Sequence, residues 1–583
     1  MTGQHTNSTR EGGTAQPAAG QPRRELAGGG FCVSFLDRIA ASRGLSTAAI
    51  IIVALFCFLP GLTSIDPVDR DEARFAQASR QMLETGDFVD IRFQDQTRYK
   101  KPIGIYWLQV TAAEIVGDGA ASPIWVYRLP SLLGALAAAL LTWWTALALA
   151  SRRAALLAGL VMAASLLLVV EAHLAKTDAV LLATVLLAHG ALARIWLADG
   201  DRPYLGLAAL FWTAIGLGIL VKGPIILLVT GLTVAILMAA GGRRGLARRL
   251  AAWRGLAWAA ALVAPWFVAI TMASGGSFVA ESVGGDMLAK VFSVRESHGA
   301  PPGTYALLLF ISFWPGAAYL ALGAPFIRDN GRRPAILFSL AWALPTWIVF
   351  ELIATKLPHY VLPTYPALAI LAATSIDEGA VRVRGWLGHV VGFNIVAVPL
   401  GFSIGVPILF YLFEGRLPAT AVGVFLCAVI AATLAWWLLA VKGRAATSVV
   451  MSLAAAALLY IGMFGIAFPE MTSIRVASRL VEAGRAAVSC SEPEFAVAGL
   501  GEPSLVFAAG TRTPLTGGDG AADFLAVGGC RVAFVELRAL QTFQSRAEDL
   551  GISVEKKGAV SGYNIGRPRP VTLELYVNKD AAP

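Results

Sequence analysis

Apolar runs constrain this chain more than anything else in it. Stretch after stretch is long and uncharged enough to need burial on every side, and a bilayer core takes about 20 such residues per helix. Candidate spans fall at roughly 46–65, 123–150, 154–171, 179–196, 204–221, 224–240, 255–273, 304–326, 335–353, 361–375, 387–411, 419–440 and 448–468, about thirteen in all. A transmembrane barrel is excluded, because its strands alternate apolar and polar residues. With 56% hydrophobic and only 15% charged residues, a water-soluble enzyme and a disordered chain are excluded too. The expected fold class is a polytopic α-helical membrane protein.

Orientation follows from where arginine and lysine are kept. With the N-terminus in the cytoplasm, the inner connections carry the arginines, among them Arg152 and Arg153, Arg248, Arg249 and Arg254, and Arg328, Arg332 and Arg333. The short outer connections carry one cation each: Lys176, Lys222, Lys356 and Arg416. The net charge of +9 is explained by these inner arginines. No interleaving of basic and aromatic residues points to nucleic acid. Residues 1–45 read as a disordered cytoplasmic tail. The first apolar run begins too late and is too long for a cleavable signal peptide.

Three polar segments fall on the outer side, at 66–122, 274–303 and 469–583. Long ordered loops are commonly functional, so the outer face is where the work is expected. The span-bearing part is 46–468, and 469–583 reads as a small periplasmic α/β domain. There, 472–488 has amphipathic spacing, and β-rich runs follow at 495–500, 505–509, 531–536, 552–555 and 571–577. Cys490 and Cys530 are the two cysteines of this region. In an oxidising compartment they are either bridged or two buried thiols.

Chemistry-bearing residues crowd the outer loops. Asp71-Glu72-Ala73-Arg74-Phe75 opens a helix that runs to about Gly86, with Phe75, Ala78, Met82 and Leu83 on one face. Asp71 and Arg74 share a face at i, i+3, although acids at a helix start also simply favour the dipole. Tyr99-Lys100-Lys101-Pro102 puts two lysines beside an aromatic, apolar stretch. They suit a phosphate or generic headgroups. Asp178 follows Lys176 and Thr177 at the edge of a span. A carboxylate there is costly and defaults to function, or caps the helix. His298 ends the second loop, and Lys356-Leu357-Pro358-His359-Tyr360 interrupts a later span between two prolines.

Asp71-Glu72-Ala73-Arg74-Phe75, Tyr99-Lys100-Lys101-Pro102, Lys176-Thr177-Asp178, Gly218 to Pro224 (GILVKGP), His298 and Lys356-Leu357-Pro358-His359-Tyr360 occur in this order. In order and sidedness they resemble the bacterial PMT-like membrane glycosyltransferases of the GT-C superfamily, aminoarabinose lipid A transferases among them. The resemblance spans about residues 45–470. It implies an inverting glycosyltransferase of the bacterial inner membrane, moving a sugar from a polyprenyl phosphate donor to a lipid or glycan acceptor on the periplasmic face. By the resemblance Asp71 and Asp178 are the catalytic acids, and Arg74 and Lys101 bind the donor phosphate. Lys356 is a further cation for that phosphate, and Phe75, Tyr99, Lys100, Lys176, His298 and Tyr360 complete the expected pocket. In aminoarabinose transferases a Glu before the lysine joins a His in a metal site. Here that position is Lys100, which cannot serve as a carboxylate ligand, so no cofactor is expected, with a divalent metal as the alternative. A released polyprenyl phosphate needs cations as its charge develops, and the attacking hydroxyl needs a base, for which Asp71 is the first choice. A protein or polysaccharide acceptor is the alternative within the fold. A transporter or flippase is the alternative outside it, but the charges crowd the outer edge and no internal repeat is evident.

Overall fold

In the computed structural model, residues 30–67, 70–200, 202–240, 245–282 and 299–579 are described. Among the described residues eight helices are long and apolar enough to cross a membrane, from Ile124–Leu149 through Ala445–Ala467. Three bent pairs raise the number to as many as 11: Phe35–Ala41 with Arg43–Phe58, Arg152–Ala163 with Leu166–Ala172, and Thr304–Ser312 with Gly316–Asp329. The protein is a multi-pass membrane protein. Two of the expected spans are shorter than a bilayer requires. Ile225–Ala239 has 15 residues and Tyr365–Asp377 has 13. The second is nearly all buried, so neighbouring helices rather than lipid surround it. A seven-residue 3₁₀ turn, Pro358–Thr364, leads into it, where Pro358 and Pro363 prevent a continuous α-helix.

Two glycines set the packing around the outer face. A Cβ on Gly134 would lie 2.8 Å from the Val180 backbone nitrogen, and one on Gly104 would lie 2.7 Å from the Leu220 carbonyl. Only glycine admits such approach. The first lets Ile124–Leu149 press against the start of Asp178–Leu197. The second seats Gly104–Val116 on the end of Leu205–Lys222.

The C-terminal region is an α/β domain. A small hairpin in the first outer loop supplies β1 (Arg92–Phe93) and β2 (Gln96–Thr97). The domain holds β3 (Glu494–Ala498), β4 (Leu515–Thr516), β5 (Arg531–Glu536), β6 (Val554–Asn564) and β7 (Arg569–Asn578). Their order is β4-β3-β5-β7-β6, with β3 parallel to β4 and β5, and β7 antiparallel to β5 and β6. The run 505–509, expected as a strand, is instead the helix Pro503–Ala509. Pro503 in its first turn suits a helix start. A disulfide joins Cys490 and Cys530, with a Cα–Cα distance of 6.3 Å.

The first-loop helix runs Arg70–Thr85. Phe75, Ala78 and Met82 pack into a small core with Tyr99, Ile103 and Tyr106, as the periodicity requires. Its polar face does not lie open. Glu72, Gln77 and Ser79 are buried, and the C-terminal domain covers part of that side. Gln77 Nε2 donates to Thr511 Oγ1 at 2.6 Å, and Arg70 pairs with Glu502 at 3.1 Å.

Candidate active site

Two segments bring the acids together. The first is the helix Arg70–Thr85, with Asp71 in its first turn. The second is the connection 173–177 that feeds the helix beginning at Asp178. A fully buried ion pair ties them. Arg128 donates from Nε to Glu72 Oε1 at 2.7 Å and from Nη2 to Oε2 at 3.1 Å. Its Nη1 reaches the Leu62 and Ile65 carbonyls at 2.9 and 2.7 Å. Glu72 Oε1 also accepts from the Ala175 backbone N–H at 3.0 Å. Three further hydrogen bonds hold the same connection. Gln109 Nε2 donates to the Ala175 carbonyl at 3.1 Å, Ser79 Oγ to Gln109 Oε1 at 2.7 Å, and Ser131 Oγ to the Lys176 carbonyl at 2.9 Å.

On this frame Asp71 sits among cations. Arg74 lies 3.5 Å from it and Arg98 3.8 Å, while Lys176 and Lys101 are near enough to act on it electrostatically. Burial alone would raise the Asp71 carboxyl. Arg98, Arg74, Lys176 and Lys101 outweigh it and hold the group below the usual carboxylate range. The Asp71 side chain is 60% exposed, so it is both ionised and reachable. Arg98 is the cation the sequence reading passed over. It is buried, and its guanidinium lies over the Phe75 ring, 4.9 Å from the centroid. Phe75, expected in the pocket, thus acts as the platform for Arg98 and packs on Tyr106 at 5.4 Å.

Asp178 is buried and bonded to Lys222, the last residue of Leu205–Lys222. Its backbone is the first helical residue, and the Thr177 side chain makes no cap. Lys176 pairs with Glu171 at 3.7 Å. His359 lies between the two acids, 3.8 Å from Glu171 and 4.0 Å from Asp178. Burial, opposed by Asp178 and reinforced by Lys222 and Lys176, lowers the His359 pKa and keeps the ring neutral. Asp71 also acts electrostatically on His359, so the two acidic centres share one charged cluster. Lys222 and His359 both stand in the motifs quoted above, yet sequence alone gave no reason to pair them with Asp178.

The remaining expected residues have these surroundings. Lys356 donates to the Glu351 and Ile353 carbonyls, each at 2.8 Å. It closes the C-terminal end of Pro334–Leu352 and faces the Tyr305 ring, a capping role, with Glu351 Oε2 at 3.9 Å. Tyr99 is buried, and its hydroxyl donates to Asp90 at 2.7 Å, which anchors the loop. Lys100 is exposed and Lys101 half-buried. Tyr360 packs on Phe350 at 5.8 Å and beside His359 at 5.1 Å. His298 lies outside the described residues.

Glu171, Asp178 and His359 offer ligand atoms within 4.8 Å of one another, a spacing a metal ion could use. Both carboxylates also face an ammonium, Lys222 on Asp178 and Lys176 on Glu171, so a divalent ion would share the cluster with two cations.

A many-span helical bundle with an acid–cation cluster beside an α/β domain defines a class: multi-pass membrane proteins with a charged site at one end of the bundle. The family model described as dolichyl-phosphate-mannose-protein mannosyltransferase matches residues 100–268. The crystal structure of ArnT from Cupriavidus metallidurans bound to undecaprenyl phosphate superposes with a TM-score of 0.72 at 21% identity, covering 91% of this chain and 98% of that one. Its apo form gives 0.68. The undecaprenyl phosphate-α-4-amino-4-deoxy-L-arabinose arabinosyl transferase of Aeromonas salmonicida is 29% identical over 345 residues, 56% of this chain and 60% of the relative. That of Edwardsiella ictaluri is 27% identical over 374 residues, 61% and 65%. The match thus spans under two thirds of these relatives. A PMT-type family model thus matches part of the chain, which shares the fold of ArnT and is similar in sequence to aminoarabinose transferases.

Proposed function

We propose that the protein is an inverting glycosyltransferase that takes a sugar from a polyprenyl phosphate, undecaprenyl phosphate in the first instance, and passes it to a lipid acceptor at the outer face of the bacterial inner membrane. The observation that carries this reading is the exposed, ionised Asp71 set among Arg74, Arg98, Lys101 and Lys176. A leaving polyprenyl phosphate gathers negative charge as the glycosidic bond breaks. Preorganised cations stabilise that charge with no reorganisation at the moment of reaction. Asp71 accepts the proton of the attacking hydroxyl from the opposite face of the sugar. Because one displacement occurs and no covalent intermediate forms, the anomeric configuration inverts.

Arg74 and Lys101 are the first candidates to meet the phosphate, and Lys176 bridges their group to Asp178. Asp178, with Lys222 and His359, shapes the sugar or acceptor side. The ammonium partners of Glu171 and Asp178 support transfer without a divalent metal, so EDTA should leave the rate unchanged. The N-terminus lies in the cytoplasm and the C-terminal domain in the periplasm, in accord with the arginine-rich connections. Similarity to the arabinosyl transferases named above supports a lipid A-type acceptor. The test is proteoliposome turnover with undecaprenyl phosphate-linked sugar and lipid A, with product read by mass. Transfer to lipid A is expected. Sugar crossing the bilayer with no acceptor product would replace this reading with transport.

A further inference from the structure

At the end of the bundle opposite Asp178 lies a cavity of about 650 Å³. It is lined by Arg43, Trp143, Trp144, Leu147, Arg194 and Leu197, with two alanines. Three helices meet there: the start of Arg43–Phe58, the end of Ile124–Leu149 and the end of Asp178–Leu197. Arg194 reaches back along its helix. Its Nη1 donates to the Gly190 carbonyl at 2.8 Å and its Nη2 to the Trp144 carbonyl at 2.7 Å. Its guanidinium lies over the Trp144 ring, 3.8 Å from the centroid. These bonds orient the group without neutralising it. Among the described residues no carboxylate comes within ion-pair distance of Arg194 or Arg43, and Arg43 is exposed. The contrast is close by: Arg153 has Asp37 at 3.6 Å and Asp377 at 3.7 Å.

A guanidinium at the edge of the hydrocarbon with no acid beside it calls for an outside anion. The same end carries Arg152, Arg248 and Arg249, and basic pockets between helices on the cytoplasmic side suit anionic headgroups. Arginine matches phosphate through its fork of donors, and tryptophan suits the boundary between chain and headgroup. We propose that this cavity binds the phosphate headgroup of an anionic phospholipid from the inner leaflet. Arg43 and Arg194 take the phosphate, and Trp143, Leu147 and Leu197 form an apolar wall for its chains. The site is separate from the acid–cation cluster at the outer lip and does not depend on the reading of that cluster.

The experiment uses the full chain in neutral detergent, with native mass spectrometry counting retained lipid. The probes are phosphatidylglycerol, phosphatidylcholine and undecaprenyl phosphate. The parent should hold phosphatidylglycerol in preference to phosphatidylcholine. Arg194→Gln should lose it, though that variant also gives up two carbonyl contacts. Arg43→Gln breaks no side-chain hydrogen bond or ion pair among the described residues, and it should weaken retention about tenfold or more, as expected for one charge-assisted contact. Parent-like retention in Arg43→Gln would overturn the proposal. So would equal retention of phosphatidylcholine, or retention of undecaprenyl phosphate alone.

Discussion

Glu72→Gln tests how the site is held together. The substitution keeps size and shape but leaves Arg128, buried among four acceptor contacts, without its counter-charge. It also turns an amide NH₂ toward donors. Removing one partner of a buried pair costs about 3–5 kcal/mol, and tenfold corresponds to about 1.4 kcal/mol. The connection 173–177 should therefore open about 10²–10⁴ times more often. The Ala175 amide, which donates to Glu72 at 3.0 Å, reports this directly through hydrogen exchange. Turnover should fall with it, because Asp71 and Asp178 ride on the two elements the pair joins. Adding Arg128→Met to Glu72→Gln should cost less than the sum of the singles, since no uncompensated charge remains. Parent-like exchange at Ala175 together with parent-like turnover in Glu72→Gln would refute this account of the frame.

Arg98→Gln removes the nearest buried cation that lowers Asp71. The acid limb of the rate profile, below the free carboxylate value of about 4 in the parent, should move upward, and an unmoved limb would remove Arg98 from the electrostatics. The sign follows from a lowered pKa: the ionised, active form is present above it and lost as pH falls through it. Lys101→Ala should weaken undecaprenyl phosphate binding about 10- to 100-fold, as for a charged contact, measured by titration in detergent. Lys356→Met should leave that affinity within about twofold, while removing two carbonyl contacts, each worth about 1.5–3 kcal/mol, which a melting curve reads.

Much of the architecture was legible because it rests on hydropathy. The apolar runs mark out the helices. Length was the weak point. Residues 361–375 read as a span, but protein covers Tyr365–Asp377 on nearly every side, so 13 apolar residues suffice there. In the C-terminal domain, Leu505 to Ala509 has the composition of a strand, and the helix start at Pro503 decides otherwise together with packing against the first-loop helix. Asp71 and Arg74 were readable from local spacing. Lys222 with Asp178, and Arg128 with Glu72, were not, because their partners lie 44 and 56 residues apart and nothing in periodicity reports a contact across helices. Lys356 shows a related limit: a lysine at the edge of a span looks the same in sequence whether it faces a phosphate or caps a helix.

Asp71→Asn tests the central claim most directly. The change preserves size, and the side chain is exposed enough for the fold to tolerate it. Undecaprenyl phosphate binding should persist, because the surrounding cations remain, while transfer to lipid A in proteoliposomes should be abolished. Turnover at the parent rate in that variant would contradict the assignment of Asp71 as the base.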